Sequence, residues 1–161
     1  IGSTPAAVDR APRQFVGFRL DETDYAIPIK TIREIILMRP ITRIPQVAPD
    51  VEGLINLRGL VIPVINLRKR FGLPTRDFDE ETRTIVANVG ERTVGCVVDA
   101  VTQVVRIAAD QIQPAPASVS AVARQFISGV ARVEERLLIL LDLDCLLEPD
   151  AVGSLESDPN P

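Results

Sequence analysis

An arginine followed by a glycine stands directly before an apolar run in the stretch NLRGLVIPV, and this pair is the first candidate for recognition chemistry. Arg58 carries a planar guanidinium with five donors, which suits bidentate binding of a partner's polar groups. Gly59 permits a tight turn that would hold the cation at the mouth of a strand. A turn-stabilising ion pair is the alternative role, and the residue types leave both open.

Residues suited to catalysis are few. The chain has no histidine, which removes His-dependent nucleophile pairs and most zinc ligands. Asp142 and Asp144 would share one face of a strand, but a strand end with Asp142 capping a short helix is the simpler interpretation. The acidic stretch RDFDEETR (76–83) is typical of a solvated loop. We therefore expect no enzyme, no bound metal and no cofactor.

Composition excludes further classes of protein. The 161 residues are 46% hydrophobic and 4% aromatic, and the formal net charge is −4. This balance disfavours nucleic-acid binding, which needs a concentrated basic surface. No stretch approaches the ~20 apolar residues of a membrane span. Cys96 and Cys145 lie in apolar contexts typical of buried thiols in a reducing cytosol, so a cytoplasmic protein is expected.

Short apolar runs bounded by turn residues predict a mainly β protein, a small barrel or sandwich type. The predicted strands are QFVGFRL, DYAIPI, REIILM, LVIPVI, TIVANV, TVGCVVD, QVVRI, FISGVARV and RLLILLD. Short helices are predicted at 66–72, 120–125 and 143–148, and the basic run at 68–70 is interpreted as a solvated helix face. Residues 1–13 and 149–161 are predicted to be disordered tails.

An internal repeat organises the chain. Residues 15–36 align without a gap on 84–105, and 51–71 align on 127–147. Apolar positions coincide in both alignments, which occur in the same order. The sequence thus predicts two copies of one small β unit within a domain spanning 14–148, the first mainly 14–74 and the second mainly 83–148.

Duplication also predicts a binding groove between the copies. Ile32 and Ile35 in the first copy match Val101 and Val104 in the second. Each pair follows the second strand of its copy. If these segments face each other, their aliphatic side chains line a shared groove.

The stretch GLINLRGLVIPVINLRKRFG resembles the signature of the CheW family of bacterial chemosensory coupling proteins. The resemblance runs from about Gln14 to Leu147. Further matching stretches follow in family order: FRLDETDYAIPIKTIREI, VGCVVDAVTQVVRI, QIQPAPASV and FISGVARVEERLLILLDLDCLL.

This resemblance implies two intertwined five-stranded β-barrels with short helices and no catalytic activity. It implies a scaffold that joins the cytoplasmic tip of methyl-accepting chemotaxis receptors to the regulatory domain of the histidine kinase CheA, at the membrane-associated receptor array. The implied receptor groove consists of Ile32, Ile35, Val101 and Val104. Receptor or kinase contacts are implied, without division between the two partners, for Glu34, Thr42, Gly53, Asn56 and Arg58.

Alternatives remain at this point. One alternative shares the fold but not the role: a CheW-like domain cut from a larger protein, such as a CheA regulatory domain or a CheV-type adaptor. A small β-barrel enzyme using Asp142 and Asp144 is another class, as is a barrel that binds nucleic acid. The acidic composition disfavours the last of these.

Overall fold

The computed structural model describes residues 12–119 and 124–147, which form two β-sheets with short helical segments. The strands are β1 (Arg13–Leu20), β2 (Thr23–Pro28), β3 (Ile32–Leu37), β4 (Val51–Leu57), β5 (Leu60–Asn66), β6 (Arg83–Val89), β7 (Arg92–Val98), β8 (Ala100–Ile107), β9 (Ile112–Gln113), β10 (Ile127–Val133) and β11 (Arg136–Leu141). The helices are α1 (Leu67–Arg70) and α2 (Leu143–Leu146), with 3₁₀ turns at Ile29–Thr31 and Ala109–Gln111.

The predicted mainly β class is confirmed, and every predicted run forms a strand. Two strands were not predicted, β4 and the two-residue β9. The helices predicted at 66–72 and 143–148 form as α1 and α2. The helix predicted at 120–125 lies mostly outside the described residues, as do the predicted tails apart from 12 and 13.

Each sheet takes strands from both halves of the sequence. One sheet has the order β8-β1-β2-β11-β10-β9, and the other has the order β3-β6-β7-β5-β4. The parallel pairs β11–β2 and β5–β7 join the halves in the two sheets, whereas the hairpins within each half are antiparallel. The halves 14–74 and 83–148 are therefore sequence units rather than separate hydrogen-bonded sheets. Closure of each sheet into a five-stranded barrel stays a prediction.

The sequence repeat is visible in the backbone. The alignment of 15–36 with 84–105 makes β1, β2 and β3 the counterparts of β6, β7 and β8. The alignment of 51–71 with 127–147 makes β4, β5 and α1 the counterparts of β10, β11 and α2. Details coincide as well. Bulges fall at the equivalent residues Glu52 and Ser128, and the equivalent residues Asn66 and Asp142 both cap a helix with their side chains. The two sheets are thus copies with exchanged strands.

One hydrophobic cluster joins the sheets. It contains Phe18 and Ile27 from the six-stranded sheet together with Ile65, Ile85 and Cys96 from the five-stranded sheet. Each sheet also has a smaller cluster of its own. Because the shared cluster includes strands from both halves, neither half has a complete core by itself.

The basic run on α1 was predicted to be solvated, and this prediction is wrong. Arg68 is buried, with its side chain 8% exposed. Lys69 Nζ lies 3.1 Å from the buried carboxylate of Glu52, and Arg70 Nε donates to the carbonyl of Leu146 at 3.2 Å. The helix has only four residues, so its cations reach acidic and carbonyl groups of neighbouring elements, and only the side chains of Lys69 and Arg70 stay partly exposed.

Arg68 ties the sheets together at the point where the chain passes between them. Its Nη1 donates to Asp99 Oδ2 at 2.7 Å. Asp99 connects β7 to β8, and these two strands belong to different sheets. The same Oδ2 accepts the backbone N–H of Asp21 at 2.7 Å, in the β1–β2 turn. Arg68 Nε also donates to the carbonyl of Pro74 at 2.8 Å. One guanidinium thus fixes three chain segments.

A second buried carboxylate is satisfied in a similar way. Glu52 accepts from Arg43 Nη1 at 2.7 Å and from Asn66 Nδ2 at 2.8 Å. Burial raises the pKa of this carboxyl. The hydrogen bonds from Asn66 and Lys69 and the charges of Lys69 and Arg43 lower the pKa, and together they outweigh burial, so the pKa lies below its ordinary value. Glu52 is therefore held as an anion at neutral pH.

We expect Arg68→Met to reduce the free energy of unfolding by about 3 kcal/mol, because it removes the hydrogen-bonded cation of the buried Asp99 carboxylate and leaves only Arg76, whose Nη1 lies 4.0 Å away. Arg58→Met is the matched control, since its side chain is 64% exposed and its loss costs at most about 1 kcal/mol. Urea denaturation of both variants measures the difference. Equal losses would contradict the central role of the Arg68–Asp99 pair.

Candidate partner-binding surfaces

The four predicted groove residues lie on two equivalent strands, β3 and β8, and each strand stands at the end of its sheet's strand order. Ile32 pairs with Ala87 on β6, and Val101 pairs with Phe18 on β1. Ile35 and Val104 pair with Ile85 and Val16, which are themselves repeat counterparts. The duplication therefore gives each groove residue the same setting in its own sheet.

Within each strand, the two predicted groove residues differ in burial. Ile32 and Val101 are half-buried and pack against the cluster that joins the sheets. Ile35 is 38% exposed and Val104 is 54% exposed. Each edge strand thus combines an anchored aliphatic residue with an accessible one three positions later. That the two strands wall one groove stays a prediction.

A second candidate surface surrounds the turn that joins β4 and β5. Arg58 and Gly59 form this two-residue turn, with φ values of 53° and 90°. Their repeat counterparts, Glu134 and Glu135, have φ values of 52° and 68° in the β10–β11 turn. The side chain of Asn56 stabilises the first turn, because its Oδ1 accepts the N–H of Gly59 at 2.8 Å. The turn geometry belongs to the repeat, whereas the cation belongs to the first copy alone.

Arg58 forms an ion pair through Nη2 with Glu34 Oε2 on β3. The turn-stabilising pair left open by the sequence is therefore present. It joins β3 to the β4–β5 hairpin, although β3 and β4 stand at opposite ends of the strand order. The Arg58 side chain remains 64% exposed and that of Glu34 30% exposed. The pair orients the guanidinium while leaving it accessible to a partner.

Thr42 and Gly53 meet through their backbones. Thr42 exchanges two hydrogen bonds of 2.8 Å with Leu54, and this bridge brings the segment after β3 against β4. Gly53 is buried with φ at 148°, and a Cβ there would lie 2.2 Å from the carbonyl oxygen of Thr42. Gly53 therefore has a structural role, and a direct contact from it to a partner stays a prediction.

Exposed aliphatic residues near this turn were not predicted. Leu60 and Val61, the first two residues of the predicted strand LVIPVI, begin β5 and are 42% and 58% exposed. Val61 pairs with Asn56 across the hairpin, so it lies beside the candidate polar residues. The position of the apolar run directly after a two-residue turn was the available signal, because the first residues of a hairpin strand project beyond the core.

Asp142, one of the two carboxylates considered for catalysis, has a structural role. Asp142 caps α2 by accepting the N–H of Cys145 at 3.3 Å, as predicted. Burial raises the pKa of the Cys96 thiol to about 12, so it stays protonated. Cys145 is only half-buried. The described part of the chain contains no group of three or more acidic or cysteine side chains that could hold a metal ion. Within the same residues, no helix is long and apolar enough to cross a membrane.

Comparison with known proteins identifies relatives of this architecture. A family model described as the CheW-like domain matches residues 14–150. The crystal structure of the scaffolding protein TtCheW from Thermoanaerobacter tengcongensis superposes with a TM-score of 0.80 and is 35% identical, covering 87% of this chain and 95% of that chain.

Curated relatives span most of the chain. The chemotaxis protein CheW of Klebsiella aerogenes is 36% identical over 145 residues, which are 90% of this chain and 87% of that protein. The chemotaxis protein CheW of Bacillus subtilis is 33% identical, with 90% and 93% covered. The chemotaxis protein CheV3 of Helicobacter pylori is 28% identical over 77% of this chain, which is 41% of that longer protein.

We expect Gly53→Ala to lower the free energy of unfolding by about 1–3 kcal/mol, because it adds a clash with the Thr42 carbonyl to an unfavourable φ. Gly72→Ala is the control: its φ of 75° is also positive, but its Cβ would meet nothing within 4 Å. Thermal and urea unfolding compare the two variants. An unchanged stability for Gly53→Ala would show that the bridge to Thr42 does not require a glycine.

Proposed function

This chain belongs to the CheW-like domain family, and from that membership we propose that it is a non-catalytic scaffold that couples methyl-accepting chemotaxis receptors to the histidine kinase CheA. The relatives named chemotaxis protein CheW support this proposal, since they align along most of their own length. The TtCheW crystal structure, named as a scaffolding protein, supports it at the level of the fold.

The observation that carries the proposal is the equivalent exposure of Ile35 and Val104 on two edge strands. A helical receptor tip presents an apolar stripe, and such a stripe binds well to paired aliphatic side chains on both sides of a groove. Ile32 and Val101 would hold those strands in place, because they pack into the shared core. The receptor surface would therefore consist of Ile32, Ile35, Val101 and Val104.

The kinase would bind elsewhere, at the β4–β5 turn. Arg58 offers a preoriented and accessible guanidinium, and Val61 offers an adjacent apolar contact. A charged anchor beside an aliphatic patch is typical of the few residues that contribute most to an interface. In this proposal Glu34 and Asn56 position Arg58, while Thr42 and Gly53 hold β3 and β4 together, and the regulatory domain of CheA is the partner.

The proposal includes the cellular setting. The scaffold would act in the cytoplasm, at the membrane-associated receptor array, and would reach the membrane only through its receptor. Catalysis would belong to the kinase, because Asp142 caps a helix, Asp99 is held in a buried ion pair and Cys96 packs in the core.

A second candidate is a CheW-like adaptor module within a longer protein. The match to CheV3 favours it, because the aligned region is 41% of that protein. The surfaces and their partners would be the same in both cases. The coding sequence on either side of this chain discriminates between them, since a CheV-type gene continues into a receiver domain.

A binding assay with four single variants tests the proposal. Val104→Asp should weaken binding to a receptor-tip fragment, and Arg58→Ala should weaken binding to the CheA regulatory domain, each by roughly thirty-fold in Kd or more if these are anchor residues. The controls are Leu137→Asp, at a site 63% exposed, and Glu134→Ala, at the repeat counterpart of Arg58.

Isothermal titration calorimetry measures the affinities, and circular dichroism checks that each variant is folded. We expect both control variants to bind like the wild type. Failure of the folded wild-type protein to bind either partner would reject the coupling function. Equal losses in the test and control variants would reject the assignment of the surfaces.

A further inference from the structure

A cleft of about 310 Å³ lies between the start of β1, the 3₁₀ turn at Ile29–Thr31 and the end of β8. Three of the side chains that line it are cations, those of Arg13, Lys30 and Arg106, and all three residues are exposed. Among the described residues, none that lines this cleft is acidic. We call it the basic cleft. Its cations are unusual in a chain whose 22 acidic residues outnumber its 18 basic ones.

The cations of the basic cleft have no acidic partner within the described part of the chain, where no ion pair includes Arg13, Lys30 or Arg106. A neighbouring cleft shares Arg13 and Lys30 and also contains Asp142 and Asp144. Neither carboxylate pairs with these cations, and Asp142 caps α2 instead. The three cations are therefore available to an anionic group from another molecule.

The basic cleft adjoins both strands of the proposed receptor groove. Arg106 follows Val104 by two positions on β8, so the two side chains lie on the same face of the strand. Lys30 stands two positions before Ile32, which is the first residue of β3. The cleft thus lies at the end of the groove where β3 begins and β8 ends.

The opposite end of the groove would be different. Exchanging the two copies of the repeat converts one strand order into the other, so the counterparts of the cleft residues would lie at that opposite end. The counterpart of Arg106 is Leu37, which is 66% exposed. The counterpart of Lys30 is Asp99, which is buried in its ion pair with Arg68. One end of the groove is therefore cationic, whereas the other is apolar.

We propose that the basic cleft binds acidic side chains of the receptor's helical tip and so fixes the direction in which that helix lies in the groove. The inference rests on the coupling function, because it names the same partner. A groove with two similar aliphatic walls would accept an apolar helical stripe in either direction. Cations at one end discriminate between the directions, since only one of them brings an acidic group to the cleft.

Strand and helix geometry give the position of the acidic group on the partner. Arg106 and Val104 are about 7 Å apart along β8, at about 3.3 Å per residue. A helix rises about 1.5 Å per residue, so this distance corresponds to about one helical turn. The receptor helix should therefore carry Glu or Asp about one turn beyond the apolar residue that contacts Val104. Residues one turn apart share a helix face, so a single face can make both contacts.

Charge reversal in the cleft tests the proposal. Arg106→Glu and Lys30→Glu should each raise the Kd for a receptor-tip fragment about tenfold at low ionic strength. The difference from the wild type should shrink in about 1 M salt, where the Debye length falls to about 3 Å. Isothermal titration calorimetry measures Kd, and circular dichroism checks that each variant is folded.

Arg132→Glu is the matched control. Arg132 lies on β10, is also exposed and forms no ion pair within the described residues, and it does not line the basic cleft. The same charge change there should leave the affinity for the receptor fragment as in the wild type.

Double-mutant cycles test the direction of the helix. Each acidic residue of the receptor fragment is replaced by lysine in turn, and each replacement is measured against wild type and Arg106→Glu. We expect one replacement, about one turn from the apolar contact, to restore most of the affinity that Arg106→Glu loses.

The outcomes separate this inference from the coupling function. Binding of Arg106→Glu and Lys30→Glu like the wild type, while Val104→Asp binds weakly, would overturn the inference and leave coupling intact. An equal loss for Arg132→Glu would overturn it, because the effect would then come from net charge. Binding to vesicles of anionic phospholipid that depends on these cations, with fragment binding unaffected, would assign the cleft to lipid and overturn it. Failure of the wild type to bind the fragment would reject both.

Discussion

The buried contact between the Arg68 guanidinium and the Asp99 carboxylate is the constraint on which the rest of this structure depends. Asp99 lies at the residue where the chain leaves the five-stranded sheet and enters the six-stranded one. Burying two charges is costly, and the cost is recovered only when geometry and additional hydrogen bonds are good. Asp99 meets this condition by also accepting the N–H of Asp21, and Arg68 by also donating to Pro74. The pair therefore specifies how β8 departs from β7, and β8 carries half of the proposed receptor surface.

Duplication gives the molecule two similar frameworks with different side chains at the functional positions. The turns at Arg58 and Glu134 have nearly the same φ, yet only the first presents a cation at its tip. The edge strands β3 and β8 keep their aliphatic pairs in both copies, so a groove between them would have two similar walls. Where the copies agree, the residues serve packing or a shared surface. Where they differ, as at Arg68, whose counterpart is Asp144, the contact with Asp99 belongs to the first copy.

The strands and the repeat could be predicted because both are local patterns of apolar residues. β4 was missed because Glu52, Gly53 and Asn56 interrupt its apolar pattern, although its repeat counterpart β10 was predicted and could have identified it. The exchange of strands between sheets could not be predicted, since pairing such as β5 with β7 joins residues far apart in sequence. The same distance explains the wrong prediction for the basic run on α1: its acidic partner Asp99 is 31 positions away. The Arg58 turn was predicted from the Arg-Gly pair, and its ion pair with Glu34 was left open because 24 residues separate the two.

Coupling would involve three proteins together, namely the receptor, the kinase and this protein. A reconstituted kinase assay is therefore its most direct test. Autophosphorylation of CheA would be measured with a receptor cytoplasmic fragment, with this protein, and with both. Kinase activity should change strongly only when all three are present, and Val104→Asp should abolish this change while the variant still binds the kinase domain. Receptor control of the kinase that is the same with and without this protein would show that it does not couple the two.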